Sequence, residues 1–214
     1  MKKLFLLLLL FACTLVGLPH TLSAQTETRP YWETSPEFAS EDKDLVLNVL
    51  DSLALIKLPH RIYEELELLA VEKDLLSLKT SASGQWSLRL LPLPNGTPLL
   101  ALIRTVNTPI GDSALQFYTP SWEEIKDSNA VFSAPQASDF IPASMSATDR
   151  ARLEQLLYPL YLVYKWAPQG RLEVSVSTPT LLSDATREAD RKLIEAIPHK
   201  KYQWKGGHFV LLNQ

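Results

Sequence analysis

Hydrophobic and polar positions divide the chain into blocks of different period. Lys2-Lys3 precedes an apolar stretch from Leu4 to Val16, which Pro19 breaks and the small residues Ser23-Ala24 close. A basic start, a short greasy run and a small residue at its end predict a secretory signal peptide over residues 1–24, cut after Ala24. The run is too short to span a bilayer, which takes roughly 20 apolar residues. Residues 25–40 are polar, contain Pro30 and Pro36, and carry Tyr31, Trp32 and Phe38. This pattern predicts an extended leader that its aromatic side chains pin to the domain.

Helical spacing follows. Ser40-Glu41-Asp42 places a cap and acids in a first turn, and Leu45, Val46, Val49, Leu50 and Leu53 continue an amphipathic helix over residues 42–56. Pro59 then starts a second helix, with Ile62, Leu66 and Leu69 on one face. From Asp74 the period changes to two. Leu76, Leu78 and Thr80 alternate, Ser81 to Gly84 turns the chain, and Trp86, Leu88 and Leu90 alternate again. After the turn Pro92-Leu93-Pro94-Asn95-Gly96 comes a mostly apolar strand, 99–106, interrupted by Arg104, and then a short one at 115–118. Four strands joined by short turns predict an antiparallel meander.

Residues 126–142 lack a period and are rich in Ser, Ala and Pro, as a connector would be. Ser146-Ala147-Thr148-Asp149 resembles a capping box for a short helix carrying Leu153, Leu156 and Leu157, which Pro159 ends. Strands at 160–166 and 172–176 flank Pro168-Gln169-Gly170. Ser183-Asp184 caps a helix with Ala189, Leu193, Ile194 and Ile197, and Gly206-Gly207 turns a final hairpin between 202–204 and 209–212. The expected fold class is therefore α+β: antiparallel β-meander sheets with helices packed on one face. The divisions are a signal peptide at 1–24, a leader at 25–40, an N-terminal α+β half at 41–125, a connector at 126–143 and a C-terminal α+β half at 144–214. Leu58-Pro59-His60-Arg61-Ile62-Tyr63 echoes Ile197-Pro198-His199-Lys200-Lys201-Tyr202, which leaves a duplication of two similar halves open.

Charge narrows the partners. The chain has 21 Lys and Arg against 24 Asp and Glu, net −3. Loss of Lys2 and Lys3 with residues 1–24 leaves 19 against 24. That acidity, with no clustered basic face in the sequence, argues against nucleic acid and against docking on anionic lipid. Cys13 is the one cysteine. Without it the exported chain holds no disulfide, and the fold rests on burial alone. Leu10-Phe11-Ala12-Cys13 is also similar to a bacterial lipobox, so a lipid anchor on Cys13 is the alternative fate. Bulky Phe11 and the apolar residues after Cys13 argue against it.

Candidate chemistry is sparse. Gly111-Asp112-Ser113 is similar to the nucleophile block of SGNH esterases, making Ser113 a candidate catalytic residue. That family places the serine after its first strand and adds a later Asp-x-x-His pair, which this chain lacks. Serine needs a base to act as a nucleophile, and Gly-Asp-Ser is also ordinary turn composition. His60, His199 and His208 are candidate metal ligands only if the fold gathers them, since their spacing matches no zinc motif. Glu64, Glu65, Glu67 and Glu123-Glu124 read as solvated carboxylates. Trp86 and Trp166 read as core, whereas Trp32, Trp122 and Trp204, at element edges, are the candidate binding residues. No cofactor is expected.

The order Leu88-Arg89-Leu90-Leu91-Pro92-Leu93, Ile103-Arg104-Thr105-Val106, Asp112-Ser113-Ala114-Leu115-Gln116-Phe117-Tyr118 and Ser121-Trp122 resembles a family of uncharacterised exported proteins from Bacteroides-type bacteria, a domain of unknown function. The likeness continues to Trp204. Members usually carry cysteines near the turn before Asp-Ser, where this chain has Thr108, Pro109 and Gly111. The resemblance implies the periplasm or envelope of a Gram-negative bacterium, with secretion as an alternative, and supplies no activity. The expected function is a non-catalytic module binding an envelope protein or a glycan. A serine- or histidine-dependent hydrolase and a periplasmic metal- or small-molecule-binding protein are the alternatives.

Overall fold

Alternation decides most of the strands. From residue 75 to residue 91, Leu76, Leu78, Trp86, Leu88 and Leu90 turn to one side and Leu75, Arg89 and Leu91 to the other, and all are buried. The computed structural model describes residues 26–52, 57–60, 64–183 and 187–212. The expected signal peptide, Cys13, Leu53, Ile62 and Asp184 lie outside the described residues.

Strands β1 (Lys57–His60), β2 (Glu64–Val71), β3 (Leu75–Lys79), β4 (Gly84–Pro92), β5 (Pro98–Val106) and β6 (Asp112–Tyr118) form one six-stranded sheet in chain order. Every neighbouring pair is antiparallel. A second sheet has the order β10-β9-β8-β7, from β7 (Tyr161–Ala167), β8 (Arg171–Ser177), β9 (Lys200–Lys205) and β10 (His208–Leu211). Helices α1 (Arg29–Thr34) and α2 (Ser40–Ser52) precede the first sheet, α3 (Ala147–Leu156) precedes the second, and α4 (Glu188–Glu195) joins β8 to β9. The fold is thus α+β with two antiparallel sheets. Gly206 and Gly207 both have positive φ, 60° and 94°, which a two-residue hairpin turn of the right hand demands.

Three local expectations are corrected. The helix expected from Pro59 is the pair β1–β2. Leucines at 66 and 69 fit helical spacing, but Leu66 and Leu68 alternate with Glu65 and Glu67, and pairing with β3 selects period two. A bulge between Leu68 and Ala70 leaves Leu69 at the surface. The leader at 25–40 is not extended throughout, because Pro30 in the first turn starts α1. Helix α4 has Arg187 at its N-cap, with no side-chain capping bond. The cap on α3 stands: Ser146 Oγ accepts from Asp149 N at 3.1 Å.

The first sheet is covered on both faces. On one face Trp32 from α1 and Val46 and Leu50 from α2 pack on Leu66, Leu76, Leu88, Leu100 and Leu102. On the other, Leu91, Leu99, Ala101, Ile103 and Phe117 join a core shared with the second sheet, α3 and α4. The first sheet is thus enclosed, whereas the second leaves one face to water. Residues 126–143 run between the sheets through two 3₁₀ turns and bury Phe132, Phe140 and Ile141 in the shared core.

The second sheet meets the first through its edge strand β7. Tyr164 N donates to Ser113 Oγ at 3.2 Å, and Ala167 O accepts from Arg89 Nη1 at 2.9 Å. Both partners are side chains of the first sheet, so they satisfy backbone groups of an edge that would otherwise be unpaired. Trp204 Nε1 adds a bond to Pro92 O at 2.8 Å. Gly111 allows this approach, since a Cβ there would sit 2.8 Å from Val163 Cγ2.

Helices α3 and α4 are tied by Asp190, whose carboxylate accepts from Arg152 at 2.6 and 3.2 Å and from Arg187 at 3.1 Å. The Arg152 hydrogen bond, against the opposing cost of burial and helped by Arg187, holds the Asp190 carboxyl below the usual range. A carboxylate favoured in the folded state stabilises above its unfolded pKa of about 4 and loses that contribution as pH falls below it. Asp190→Asn should therefore lower Tm at neutral pH and flatten its decline below about pH 4. Parallel acid melts in which the variant and the parent lose Tm equally below about pH 4 would sink the assignment.

Candidate functional site

An open cleft of about 420 Å³ lies at one end of the first sheet. Its walls come from sequence-distant elements. Glu37 and Phe38 stand on the loop between α1 and α2, Trp86 on β4, Arg104 on β5, and Asp112 on β6. Thr80, Gln85 and Val106 complete the rim. The loop is held down by aromatic packing. Phe38 lies 4.6 Å from Trp32 and 5.3 Å from Trp86 between ring centroids, and Trp32 meets Trp86 edge-on at 5.3 Å.

Arg104 sits where the register of β5 points it to the helix-covered face, opposite Trp86 and Ala114. Its guanidinium grips both carboxylate oxygens of Glu37, with Nε to Oε2 at 3.0 Å, and also donates to Gln116 Oε1 and Tyr118 OH. Partial burial disfavours the charge, but bonds to Glu37 and Tyr118 outweigh it and the pKa of Arg104 rises. The guanidinium is thus a fixed, paired cation. The indole N–H of Trp86, 3% exposed, has no hydrogen-bond partner among the described residues. A buried donor without a partner costs about 1–3 kcal/mol. The cleft therefore combines ring surface with planar hydrogen-bonding groups.

Ser113 lies elsewhere in role. Its Oγ is bonded to Thr105 Oγ1 at 2.8 Å and to Tyr164 N at 3.2 Å, and its own N–H donates to Asp112 Oδ1. Neither partner of the hydroxyl is a base, and its bond to Tyr164 N ties β7 to β6. The Tyr164 phenol, which burial chiefly pushes up to about 12, stays neutral at physiological pH. We expect Ser113→Ala to cost about 1 kcal/mol of stability and to change no esterase activity. Hydrolysis of a short-chain nitrophenyl ester by the parent, lost in Ser113→Ala, would overturn this.

The tryptophan candidates separate. Trp32 is 0% exposed and donates to Lys43 O at 3.2 Å, so it is core and not a contact residue, a correction forced by its place under α2. Trp122 is half-buried against Tyr118 and bonded to Tyr31 O. Trp204 is half-buried beside Phe209. Neither lines the cleft. The histidines do not converge. His199 precedes β9 and His208 follows it, so the six-residue strand holds them about 20 Å apart. His60 belongs to β1 in the other sheet, and no cluster of three metal-binding side chains occurs among the described residues. Glu67 pairs with Lys79 at 3.8 Å and Glu124 accepts from Gln116, while the side chains of Glu64 and Glu65 lie outside the described residues. Sequence reasoning missed Glu37, Phe38, Arg104 and Asp112 as a group. The one available signal was Arg104 inside an otherwise apolar strand.

The architecture defines an α+β domain of two antiparallel sheets with a cleft at one sheet end. The chain belongs to the family described as "Protein of unknown function (DUF3256)", whose model matches residues 33–209. The fold is also similar to the solved "domain of an uncharacterized protein from Porphyromonas gingivalis W83", with a TM-score of 0.73 at 19% identity. That likeness covers 88% of this chain and 99% of the other. Both findings agree with the resemblance drawn from the sequence. No curated protein matches. Among the described residues no helix is long and apolar enough to cross a membrane.

Proposed function

We propose that the protein is a non-catalytic glycan-binding module of the bacterial envelope, exported by residues 1–24. The observation that carries this is the apposition of Phe38 and Trp86 with the fixed Glu37–Arg104 pair in one open cleft. A sugar presents apolar C–H faces beside hydroxyls that both donate and accept. The half-buried Phe38 ring suits the first, and the carboxylates of Glu37 and Asp112 with the amide of Gln85 suit the second. A pocket of this size is in the usual range for small ligands.

A glycan array probed with the mature protein, with Phe38→Ala and Arg104→Ala in parallel, tests the proposal. The expected result is retention of a defined set of sugars by the parent and a loss of about tenfold or more in each variant. An empty array, or retention unchanged in both variants, rejects it. Mass spectrometry of the N-terminus in the native host should find Gln25. A lipidated Cys13 would replace export as a free protein with membrane anchoring.

A further inference from the structure

We propose that the outward face of the second sheet is a binding surface for an anionic polysaccharide, independent of the cleft. The sequence shows no basic run, but strand pairing builds a basic face. Register places Lys165, Glu173 and Lys201 in one row across β7, β8 and β9, and Arg171 in the next row. Lys205 closes the face at the hairpin end, paired with His208. These side chains alternate with the buried Tyr164, Leu172, Val174 and Tyr202, so they point away from the core.

The face carries four cations and one anion, net +3, on a chain whose total is −3. The remainder is therefore at −6, and the charge is strongly polarised. Glu173 reaches Lys201 at 3.9 Å, but both are partly exposed, and such pairs contribute little. Lys165 and Lys205 have no ion-pair partner among the described residues. No helix covers this side: α3 and α4 pack into the core on the opposite face.

Charge complementarity and spacing select the occupant. Val210 is the one large apolar side chain exposed on this face among the described residues, too little for the apolar centre of a protein interface. Lys165 and Lys201 stand two strands apart, about 10 Å, and Lys201 and Lys205 four residues apart, about 13 Å. Duplex DNA carries a charge every ~1.7 Å, far denser than this lattice. A chain of carboxylated sugars, with at most one charge per ring, matches sparse cations on a flat surface. Long-range attraction of this kind weakens with salt.

Binding of an oligogalacturonate to the mature protein, with dextran and duplex DNA as comparison ligands, decides the matter. The expected result is binding to oligogalacturonate that weakens as salt rises, with dextran not retained by this face. The triple variant Lys165→Gln, Lys201→Gln, Lys205→Gln should lose about tenfold or more, and the matching triple arginine variant should keep it. Phe38→Ala should leave this binding unchanged, which separates the face from the cleft. No binding of oligogalacturonate, equal binding by the folded glutamine variant, or tighter binding of DNA than of oligogalacturonate would each overturn the proposal. Thermal melts of both triple variants establish that they fold.

Discussion

Trp32→Ala should lower the unfolding free energy by about 3–5 kcal/mol, a fall in Tm of roughly 10 °C for a chain of this size. Trp32 is the largest side chain at 0% exposure on the helix-covered face. It fills the space between α1, α2 and the sheet, touches Phe38 and Trp86 edge-on or tilted, and spends its N–H on Lys43 O. Alanine removes all three contributions and leaves a cavity that a sheet cannot collapse to fill. The damage should extend to the cleft, because Phe38 rests on this ring. Hydrogen exchange across residues 26–45 should therefore rise more than exchange in β8 and β9. Trp32→Phe keeps ring volume without the donor and should recover more than half of the loss. A change of less than about 1 kcal/mol for Trp32→Ala would mean that the helices are not anchored this way.

The second large effect is expected at Arg89. This side chain is 1% exposed, an unusual place for a guanidinium. Its Nη2 meets Glu72 at 2.7 Å and Asp74 at 3.4 Å, and its Nη1 meets Ala167 O across the sheets. Nε stands 3.4 Å from Asp74 Oδ2, without the alignment of a hydrogen bond. The plane of the group also lies over Trp166, 5.7 Å from its centroid. Arg89→Ala strips the β7 edge of its donor and opens the junction of the two sheets. Glu72 and Asp74 are partly exposed and can turn to water, which limits the cost below that of a fully buried pair. We expect about 3 kcal/mol. Arg89→Lys should be intermediate, since one ammonium cannot reach Glu72 and Ala167 with the same fork geometry. Urea denaturation of the three proteins measures this, and equal midpoints for Arg89→Ala and the parent would refute it.

Most of the fold was legible where one period dominates. Strands from β3 onward show as period-two stretches or apolar runs, several of them set off by Gly- or Pro-containing turns, and α3 carries its Ser146 cap in the sequence. Residues 58–71 were not legible, because Leu66, Leu68 and Leu69 satisfy a helix and a strand equally until β3 supplies a partner. Arg89 was hidden for a related reason. Between Leu88 and Leu90 it occupies the polar phase of an alternating strand, and only a second sheet lying on that phase buries it. The cleft was the least legible part. Glu37 and Arg104 are 67 positions apart, and nothing local distinguishes their ion pair from two surface charges. The basic face shares that difficulty, since cross-strand neighbours such as Lys165 and Lys201 are brought together by register alone.

The two sheets differ in what they need in order to form. Each strand of the first pairs only with its immediate neighbour in the chain, so loops are short and closure entropy is small at every step. The strand β7, by contrast, has its outer edge completed by side chains some 50 to 80 residues earlier, on Ser113 and Arg89. A chain made from its N-terminus thus has the meander available as a template before the second sheet exists. Folding in that order keeps the edge of β7 from standing open. A variant that slowed the meander would expose that edge, and its failure would show as aggregation before any loss of equilibrium stability.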